Sequence, residues 1–298
     1  MKAWSCRTTR GNSVPAARTR ERRPVRTLVG AVVLLGALLG AGPAVRAEDA
    51  VPPAAQAKPV VGERLGFHGR WFTIPVGYGW IEVKGLETID GRQAYHIEIQ
   101  GHTNDVLSKF YPIHDVVHSY LDAETLQPLR FQKDQREGHY RAHEAVTFDP
   151  STKTAHYVSY LNDSEKTIPL PDAFQDLVSA IYWFRAQPLT PGGSLDVQIY
   201  TDEKFYDTRL LIRGFTMLEL LKRGTFRCVE VEPQAHFKGL LVKRGRIWMY
   251  VTADARRLPL LIKATTPWGP MSAVIDASSI GPASDGDGRD APGRAARP

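Results

Sequence analysis

PDAFQDLVSAIYWFRAQP, residues 171–188, carries the one clear helical pattern in a region otherwise patterned as β-strands. Its apolar residues recur at the three- and four-residue spacing that places side chains on one helix face, as in Phe174, Leu177, Val178, Ile181 and Phe184. Asp172 is a suitable N-terminal cap, with Gln175 three residues later, and Pro188 ends the pattern. More apolar residues surround this face, namely Ala180, Tyr182 and Trp183. The stretch therefore predicts a helix enclosed on more than one side by a curved sheet.

The surrounding sequence is patterned as strands. In residues 94–101, apolar side chains alternate with polar ones, and Asp90 and Gly91 before them form a hairpin signal that joins them to residues 79–89. Other strand-like runs are 64–73, 115–122, 129–134, 143–148, 155–160, 194–200, 207–213, 225–232, 246–252, 258–264 and 271–275. Strands and helices do not alternate along the chain. The pattern therefore predicts a mainly β fold, a large curved antiparallel sheet with one principal helix on its concave side.

Residues 1–47 have the organisation of an export signal. An apolar run at residues 28–39 follows a cluster of five arginines, Arg18, Arg20, Arg22, Arg23 and Arg26, and small residues at Val45 and Ala47 suit a cleavage site. We expect cleavage after Ala47 and a periplasmic or secreted protein, by either the general secretory or the twin-arginine route. The apolar run is shorter than the ~20 residues of a membrane span, and no second such run follows it. The sequence thus predicts that the cleaved protein is not an integral membrane protein.

Removing this segment changes the charge and the cysteine content. Residues 1–47 carry 9 of the 38 Lys and Arg residues and 1 of the 32 Asp and Glu residues, which leaves 29 against 31. A weakly acidic remainder disfavours a nucleic-acid partner. Cys6 leaves with the signal, so that Cys228 remains without a disulfide partner, and we expect it to be buried. Residues 48–59 are predicted to be a flexible Pro- and Ala-rich linker, 60–280 a single β domain and 281–298 a disordered tail.

Some strand runs are apolar on both sides, as in residues 246–252, where Met249 and Trp248 fall on opposite faces. Two explanations stay open at this stage. The helix and loops could cover one face while a tail or dimer partner covers the other, or the sheet and helix could enclose an apolar cavity, the usual form of a small-ligand site. For the cavity, the candidate lining residues are Trp71, Trp80, Phe174, Ile181, Trp183 and Trp248.

Six segments, in order, resemble a bacterial envelope family known as domain of unknown function 3108 (DUF3108), itself grouped with the LolA/LolB-like lipoprotein carriers. They are GERLGFHGRWFTIPVGYGWIEV, DGRQAYHIEIQGHTN, LDAETLQPLRFQKDQREGHY, QDLVSAIYWFR, GTFRCVEVEP and DARRLPLLIKATTPWG. The resemblance covers nearly all of residues 60–275. It implies a strongly bent half-barrel with helical material on its concave side, where carriers of this type hold acyl chains. The family has no agreed catalytic residues, so none is assigned here.

The residues themselves supply little catalytic chemistry. His114 and His118, like His139 and His143, are four residues apart, but within a strand that spacing separates them by ~13 Å, too far for one metal ion. We therefore expect solvent-facing histidines, no metal and no cofactor. Glu230 on the face of a strand, with Glu232 closing its end, is the best carboxylate pair for a hydrolase. No catalytic motif is present, and the sequence predicts a protein that is not an enzyme.

The leading hypothesis is a soluble envelope protein that binds or carries an apolar ligand, such as an acyl chain or lipid, in a cavity between sheet and helix. If phosphates are also bound, the candidate rim cations are Arg130, Arg136, Arg256 and Arg257. The alternative is a structural or assembly factor with a fully packed core that works through contacts with an envelope protein partner. A hydrolase of envelope polymers is the third reading.

Overall fold

The computed structural model describes residues 58–220, 224–235, 246–267 and 269–280. The predicted signal segment, all but the last two residues of the predicted linker and the predicted tail lie outside these ranges. Fifteen strands form one sheet: β1 (Arg64–Trp71), β2 (Ile74–Ile89), β3 (Arg92–Thr103), β4 (His114–Asp122), β5 (Pro128–Glu137), β6 (Tyr140–Asp149), β7 (Thr154–Ser159), β8 (Ser164–Pro169), β9 (Phe174–Asp176), β10 (Ser194–Thr201), β11 (Lys204–Leu220), β12 (Gly224–Ala235), β13 (Ile247–Thr252), β14 (Pro259–Thr266) and β15 (Gly269–Ile275).

Among the described residues, two short helices accompany the sheet, α1 (Ser179–Ala186) and α2 (Ala277–Ile280), with a 3-10 turn at Leu107–Lys109. None of the described helices is long and apolar enough to cross a membrane. The predicted mainly β architecture with one principal helix is confirmed.

Most strands lie beside their neighbours in sequence; the exceptions are β1, which pairs with β15, and the consecutive strands β8 and β9, which form the two ends. The order is β8-β7-β6-β5-β4-β3-β2-β1-β15-β14-β13-β12-β11-β10-β9, and every pair is antiparallel except β9 with β10. The two end strands, β8 and β9, are not paired with each other, so hydrogen bonding leaves the sheet open. This order follows from short turns between successive strands, which place each strand beside the one before it.

The turn between β2 and β3 is the hairpin that the sequence predicts. Ile89 pairs with Arg92, and the two residues between them, Asp90 and Gly91, have φ of 48° and 80°. Positive φ at both positions is what a type I′ turn requires. In β3 beyond this turn, Tyr95 and Ile97 contribute to the buried core, as the alternation predicts.

The predicted helix at residues 171–188 is wrong in its first half. Phe174–Asp176 forms β9, in which Phe174 pairs with Gln198, and only Ser179–Ala186 is helical. The helix begins where the buried carboxylate of Asp176 accepts hydrogen bonds from the N–H groups of Val178 and Ser179, each at 2.7 Å. Asp172, the expected cap, instead forms an exposed ion pair with Lys153. An acceptor inside the core thus sets the start of the helix.

Strand β8 (Ser164–Pro169) was not among the predicted runs. Its sequence is SEKTIP, which carries a single large apolar residue, Ile168, and most of its side chains are exposed. It is an edge strand, paired only with β7. Edge strands need little apolar surface, so apolar alternation does not identify them.

The largest hydrophobic cluster fills the space between the sheet and α1. Val178 and Tyr182 of the helix segment belong to one buried cluster with residues of β2–β7, β9 and β10. Aromatic rings dominate it, with centroid distances of 5.1 Å for Phe148–Phe174 and 5.4 Å for Phe148–Tyr200. Packed rings of this kind occupy the position at which the sequence analysis placed a ligand cavity.

Side chains connect the two ends of the open sheet. The turn between β10 and β11 holds Asp202 and Glu203, both with positive φ. Lys166 of β8 pairs with Glu203, and Lys133 of β5 lies 2.9 Å from Glu144 and 3.8 Å from Asp202. The β10–β11 turn therefore faces strands from the other end of the sheet, as expected of a strongly curved, barrel-like sheet.

Candidate functional site

A groove of about 730 Å³ lies beside β9, between the β4–β5 turn and strands β10 and β11. We call it the edge groove. It is open to solvent on one side, and its size falls within the range of ligand sites. Its lining residues come from segments far apart in sequence: Thr125, Gln127, Pro171, Asp172, Ala173, Phe174, Gln175, Trp183, Asp196, Val197, Gln198, Asp207, Thr208, Arg209 and Gln234.

Strand β9 is held in place by a buried carboxylate. Asp176 is fully buried, and it accepts a hydrogen bond of 2.5 Å from Ser119 of β4 in addition to the backbone bonds at the start of α1. Ser119 and Ser179 are themselves buried, and Ser179 Oγ accepts a 2.7 Å bond from the N–H of Asp176. Burial raises the pKa of Asp176 to about 6, and these hydrogen bonds oppose the shift. This network fixes one wall of the edge groove.

Gln175 is the unusual residue of the groove. It is 4% exposed, and its Oε1 accepts no hydrogen bond from any described residue. A buried amide oxygen without a donor costs about 1–3 kcal/mol. Gln175 also belongs to the residues around the edge groove, so this buried, unpaired oxygen lies within the groove wall.

The charges of the groove are acidic on balance. Asp196 and Arg209 form a bidentate pair at 2.7 and 3.1 Å, which holds the pKa of Asp196 below its usual value. Asp207 accepts a 2.8 Å hydrogen bond from Gln198, and Asp172 pairs with Lys153. Three carboxylates thus line the groove with one guanidinium, which is already paired. The groove suits a neutral ligand or a cation better than an anion.

Helix α1, which supplies Trp183, is fixed at its C-terminal end by arginines. The guanidinium of Arg185 pairs bidentately with Glu63 at 2.6 and 2.7 Å, and it donates to the carbonyl oxygen of Arg256. Arg257 Nη1 donates to the carbonyl oxygens of Arg185 and Gln187, where the helix ends. Together with Asp176 at the start, these contacts hold the helix at both ends.

The family of the chain is decided by a model match over residues 67–276, described as "Protein of unknown function (DUF3108)". The chain belongs to the DUF3108 family. The match runs from within β1 to just past the end of β15, so the resemblance to DUF3108 drawn from six segments is confirmed. No curated protein matches the chain.

Among solved structures, the DUF3108 chain is similar to a crystal structure from Brucella abortus described as a β-barrel-like protein of domain of unknown function DUF1849. The two share 8% sequence identity at a TM-score of 0.50, over 74% of this chain and 97% of that one. At this identity the likeness concerns the fold alone. It agrees with the curved, open sheet of this DUF3108 member.

The structure does not bring the six predicted lining residues together. Phe174 and Trp183 line the edge groove, and Ile181 packs against the aromatic core. Trp80 stacks on His102 on the opposite face of the sheet, because it alternates with the core residue Ile81. The same alternation turns Trp248 away from Met249, and its ring lies 4.8 Å from the guanidinium of Arg246. Trp71 is 40% exposed at the end of β1.

The predicted rim cations are likewise dispersed. Arg257 is 1% exposed, so its assignment to a rim is wrong, and the carbonyl groups at the end of α1 are the reason for its burial. Arg256 pairs with Asp254 at 3.1 Å and donates to the carbonyl oxygen of Ile280. Arg136 is exposed and pairs with Asp134, and Arg130 is half-buried on β5. Two of these four cations, Arg256 and Arg257, therefore stabilise turns of the DUF3108 fold.

Histidines meet across strands rather than along them. His96 Nε2 lies 3.0 Å from His118 Nδ1, and the rings of His102 and His114 are 4.7 Å apart. Burial and the neighbouring imidazole lower the pKa of His118, which is half-buried rather than solvent-facing as expected. Within the described ranges, no group of three or more His, Cys, Asp or Glu residues could hold a metal ion. The register of the β3–β4 pair, which spacing along one strand does not show, produces these contacts.

Glu232, from the predicted carboxylate pair, and Cys228 both have structural surroundings. Glu232 lies inside β12 rather than at its end, and Arg213 and Arg246 each donate two hydrogen bonds to it. Burial opposes its ionisation, but the two guanidiniums hold its pKa below the usual value. Cys228 is fully buried, as predicted, and burial raises the pKa of its thiol to about 12. Neither group has the pKa of a poised nucleophile or general acid.

Proposed function

We propose that this DUF3108 protein is a non-catalytic binding protein of the cell envelope that holds a neutral amphiphilic ligand in the edge groove. The observation that carries the proposal is the edge groove itself, a ligand-sized space lined by apolar side chains beside amide and carboxylate groups. The envelope location rests on the export-signal pattern of residues 1–47.

The lining indicates the chemistry of the ligand. Apolar contact comes from Pro171, Ala173, Phe174, Trp183 and Val197. Amide and carboxylate oxygens beside them accept hydrogen bonds. A ligand with an acyl chain or another apolar part, and with O–H or N–H groups in its head, matches both features. A free fatty acid matches less well, since its carboxylate would face three aspartates.

Three probes with the same dodecyl chain test this chemistry: dodecyl maltoside, which is neutral, dodecanoate, which is anionic, and dodecylamine, which is cationic. Each is titrated below its micelle concentration by isothermal titration calorimetry. We expect the maltoside to bind and dodecanoate to bind at least about tenfold more weakly, as one unfavourable charge contact is worth about 1–2 kcal/mol. Absence of binding for all three probes, or preference for dodecanoate, contradicts the proposal.

Two variants connect binding to the groove. Val197→Trp fills the groove and should abolish maltoside binding, whereas Met217→Trp, at an exposed position on β11 outside the groove, should leave it unchanged. Gln175→Leu removes the unpaired acceptor from the groove wall, so we expect it to fold without loss of thermal stability. Equal binding by Val197→Trp and the wild type would place the probe elsewhere.

A second candidate is a structural or assembly factor that acts through protein contacts. The ring cluster around Phe148 and Tyr200, packed between sheet and α1, favours it, because a filled core is what such a factor requires. The two candidate functions predict different effects of filling the edge groove. If Val197→Trp retains the protein's role in the cell envelope while filling the groove, the second candidate is supported. If that role is lost with the fold intact, the binding protein is supported.

A further inference from the structure

Large apolar side chains are exposed at one end of the sheet, where four connections between strands meet. We call this surface the apolar end. It consists of the β1–β2 turn, the β3–β4 loop, the start of β6 and the start of β15, with Trp71, Phe72, Ile74, Val106, Phe110, Tyr111, Tyr140 and Met271. Phe110 is the extreme case at 82% exposed. Isolated exposed apolar residues are ordinary, but eight on adjoining turns mark an interaction surface.

The connections adjoin one another through backbone hydrogen bonds. The N–H of Phe72 donates to the carbonyl of Pro270 at 2.8 Å, and that of Asn104 donates to Val76 at 2.9 Å. The N–H of Gly138 donates to Pro112, again at 2.8 Å. The four connections therefore form one continuous surface rather than separate loops.

Two of the exposed rings rest on glycines. A Cβ on Gly269 would lie 2.5 Å from the ring of Phe72, and a Cβ on Gly138 would lie 2.6 Å from the ring of Tyr111. Both glycines have positive φ. Only glycine provides both the conformation and the space at these positions. The aromatic side chains are thus held at the surface by the backbone beneath them.

Cations flank these apolar side chains. Arg70, Lys109 and Arg141 are exposed, and none of the three pairs with a carboxylate of the described residues. Of the carboxylates at this end, Asp105 is exposed, and Asp134 pairs with Arg136. Asp115 and Glu137 are half-buried and close together in space. Burial is the larger cause, and the Asp115 carboxylate the smaller one, that raises the pKa of Glu137 to about 7. The exposed, unpaired charge at the apolar end is therefore mainly positive.

We propose that the apolar end docks this protein on the surface of an anionic lipid bilayer. Tryptophan and tyrosine favour the boundary between lipid headgroups and acyl chains, and the exposed Phe, Ile and Val side chains can insert among headgroups without a preformed pocket. Lysine and arginine near such a surface gain attraction to anionic lipids. A protein partner would need a surface shaped to match all four connections, whereas a bilayer adapts to them.

This surface is distinct from the edge groove. The apolar end lies at the β3–β4 loop and the β5–β6 turn, whereas Thr125 and Gln127 of the groove lie at the β4–β5 turn. The nine residues of β4 separate these positions by roughly 27 Å along the strand. Docking at one end would leave the groove open at the other, so the inference does not rest on groove binding.

Vesicle flotation tests the proposal with variants of the same chain, so that residues outside the described ranges contribute equally. Vesicles of 3:1 phosphatidylcholine and phosphatidylglycerol are compared with pure phosphatidylcholine. We expect binding to the anionic vesicles, about tenfold weaker for Phe110→Ser and about fivefold weaker for Lys109→Gln. Leu86→Ser, at a position similarly exposed near the opposite end of β2, should bind like the wild type, as should Val197→Trp.

Two results would overturn the proposal. One is the absence of vesicle binding by the wild type. The other is equal loss of binding in Phe110→Ser and Leu86→Ser. A concentration-dependent dimer in sedimentation, lost in Phe110→Ser and accompanied by no vesicle binding, would assign the apolar end to a second copy of the chain instead.

Discussion

At the scale of single residues, Asp176 has the most influence on the site. Its carboxylate is fully buried, and it connects β4, β9 and the start of α1 through Ser119 and the N–H groups of Val178 and Ser179. The same burial makes ionisation costly, which raises its pKa to about 6. The residue that positions the groove wall therefore makes the fold sensitive to pH.

The direction of that sensitivity follows from the raised pKa. Between about pH 4 and pH 6 the folded protein retains a proton on Asp176 that the unfolded chain has lost, so the free energy of unfolding falls as pH rises. A difference of about two pKa units corresponds to about 2–3 kcal/mol. We expect Asp176→Asn to lack this loss. Urea unfolding of both proteins from pH 4 to pH 7 measures it, and parallel curves for the two would show that Asp176 is ionised at no cost.

At the scale of elements, α1 is held in a fixed position against the sheet, with contacts at both of its ends. Its first turn is held by Asp176, and its last carbonyl groups are held by Arg257. Arg185, near its C-terminal end, is paired with Glu63 just before β1. The helix is held at both ends, and Tyr182 lies in the main core cluster, so the space between α1 and the sheet is filled. The open space beside the helix is the edge groove.

The Glu63–Arg185 pair gives this claim a direct test. Glu63→Gln leaves a largely buried guanidinium without its carboxylate, and we expect it to lower the free energy of unfolding by about 3 kcal/mol. Glu82→Gln makes the same change in a more exposed pair with Arg64 and should cost less than about 1 kcal/mol. Chemical denaturation compares them. Similar small effects of both substitutions would mean that α1 is not anchored through Glu63.

The elements also show which parts of the fold can be predicted from the sequence. Alternation identifies the central strands, and the Asp90–Gly91 signal identifies the hairpin, because both depend on neighbouring residues alone. Strand β9 cannot be predicted from neighbouring residues alone. Phe174 fits a helical period as well as a strand, and the choice is made by Asp176 bonding to Ser119, 57 residues earlier. Contacts of that separation leave no local pattern.

The site was harder to predict than the fold for the same reason. Phe174 and Trp183 are the two predicted lining residues that line the groove, since they belong to the stretch beside it. Val197 and Arg209 come from strands that join the groove only through the sheet order. Arg257, in a basic turn typical of a surface, is buried because carbonyl oxygens at the end of α1 accept its hydrogen bonds. A sequence signal for the apolar end does exist, in the aromatic pairs at residues 71–72 and 110–111 beside predicted turns.

At the scale of the whole molecule, the sheet separates two surfaces of different chemistry. The apolar end carries exposed aromatic rings and unpaired cations, whereas the edge groove carries amides and carboxylates around a smaller apolar area. Between them the aromatic cluster fills the interior of the sheet. A protein of this form would rest on a membrane at one end and hold a ligand at the other.

Native mass spectrometry of the protein, purified gently from its host, tests the central claim most directly. We predict that the wild type and Met217→Trp carry a bound neutral small molecule, and that Val197→Trp does not, because the indole occupies the edge groove. A bound molecule retained by Val197→Trp, or no bound molecule in any of the three proteins, would contradict the assignment of the edge groove as a ligand site.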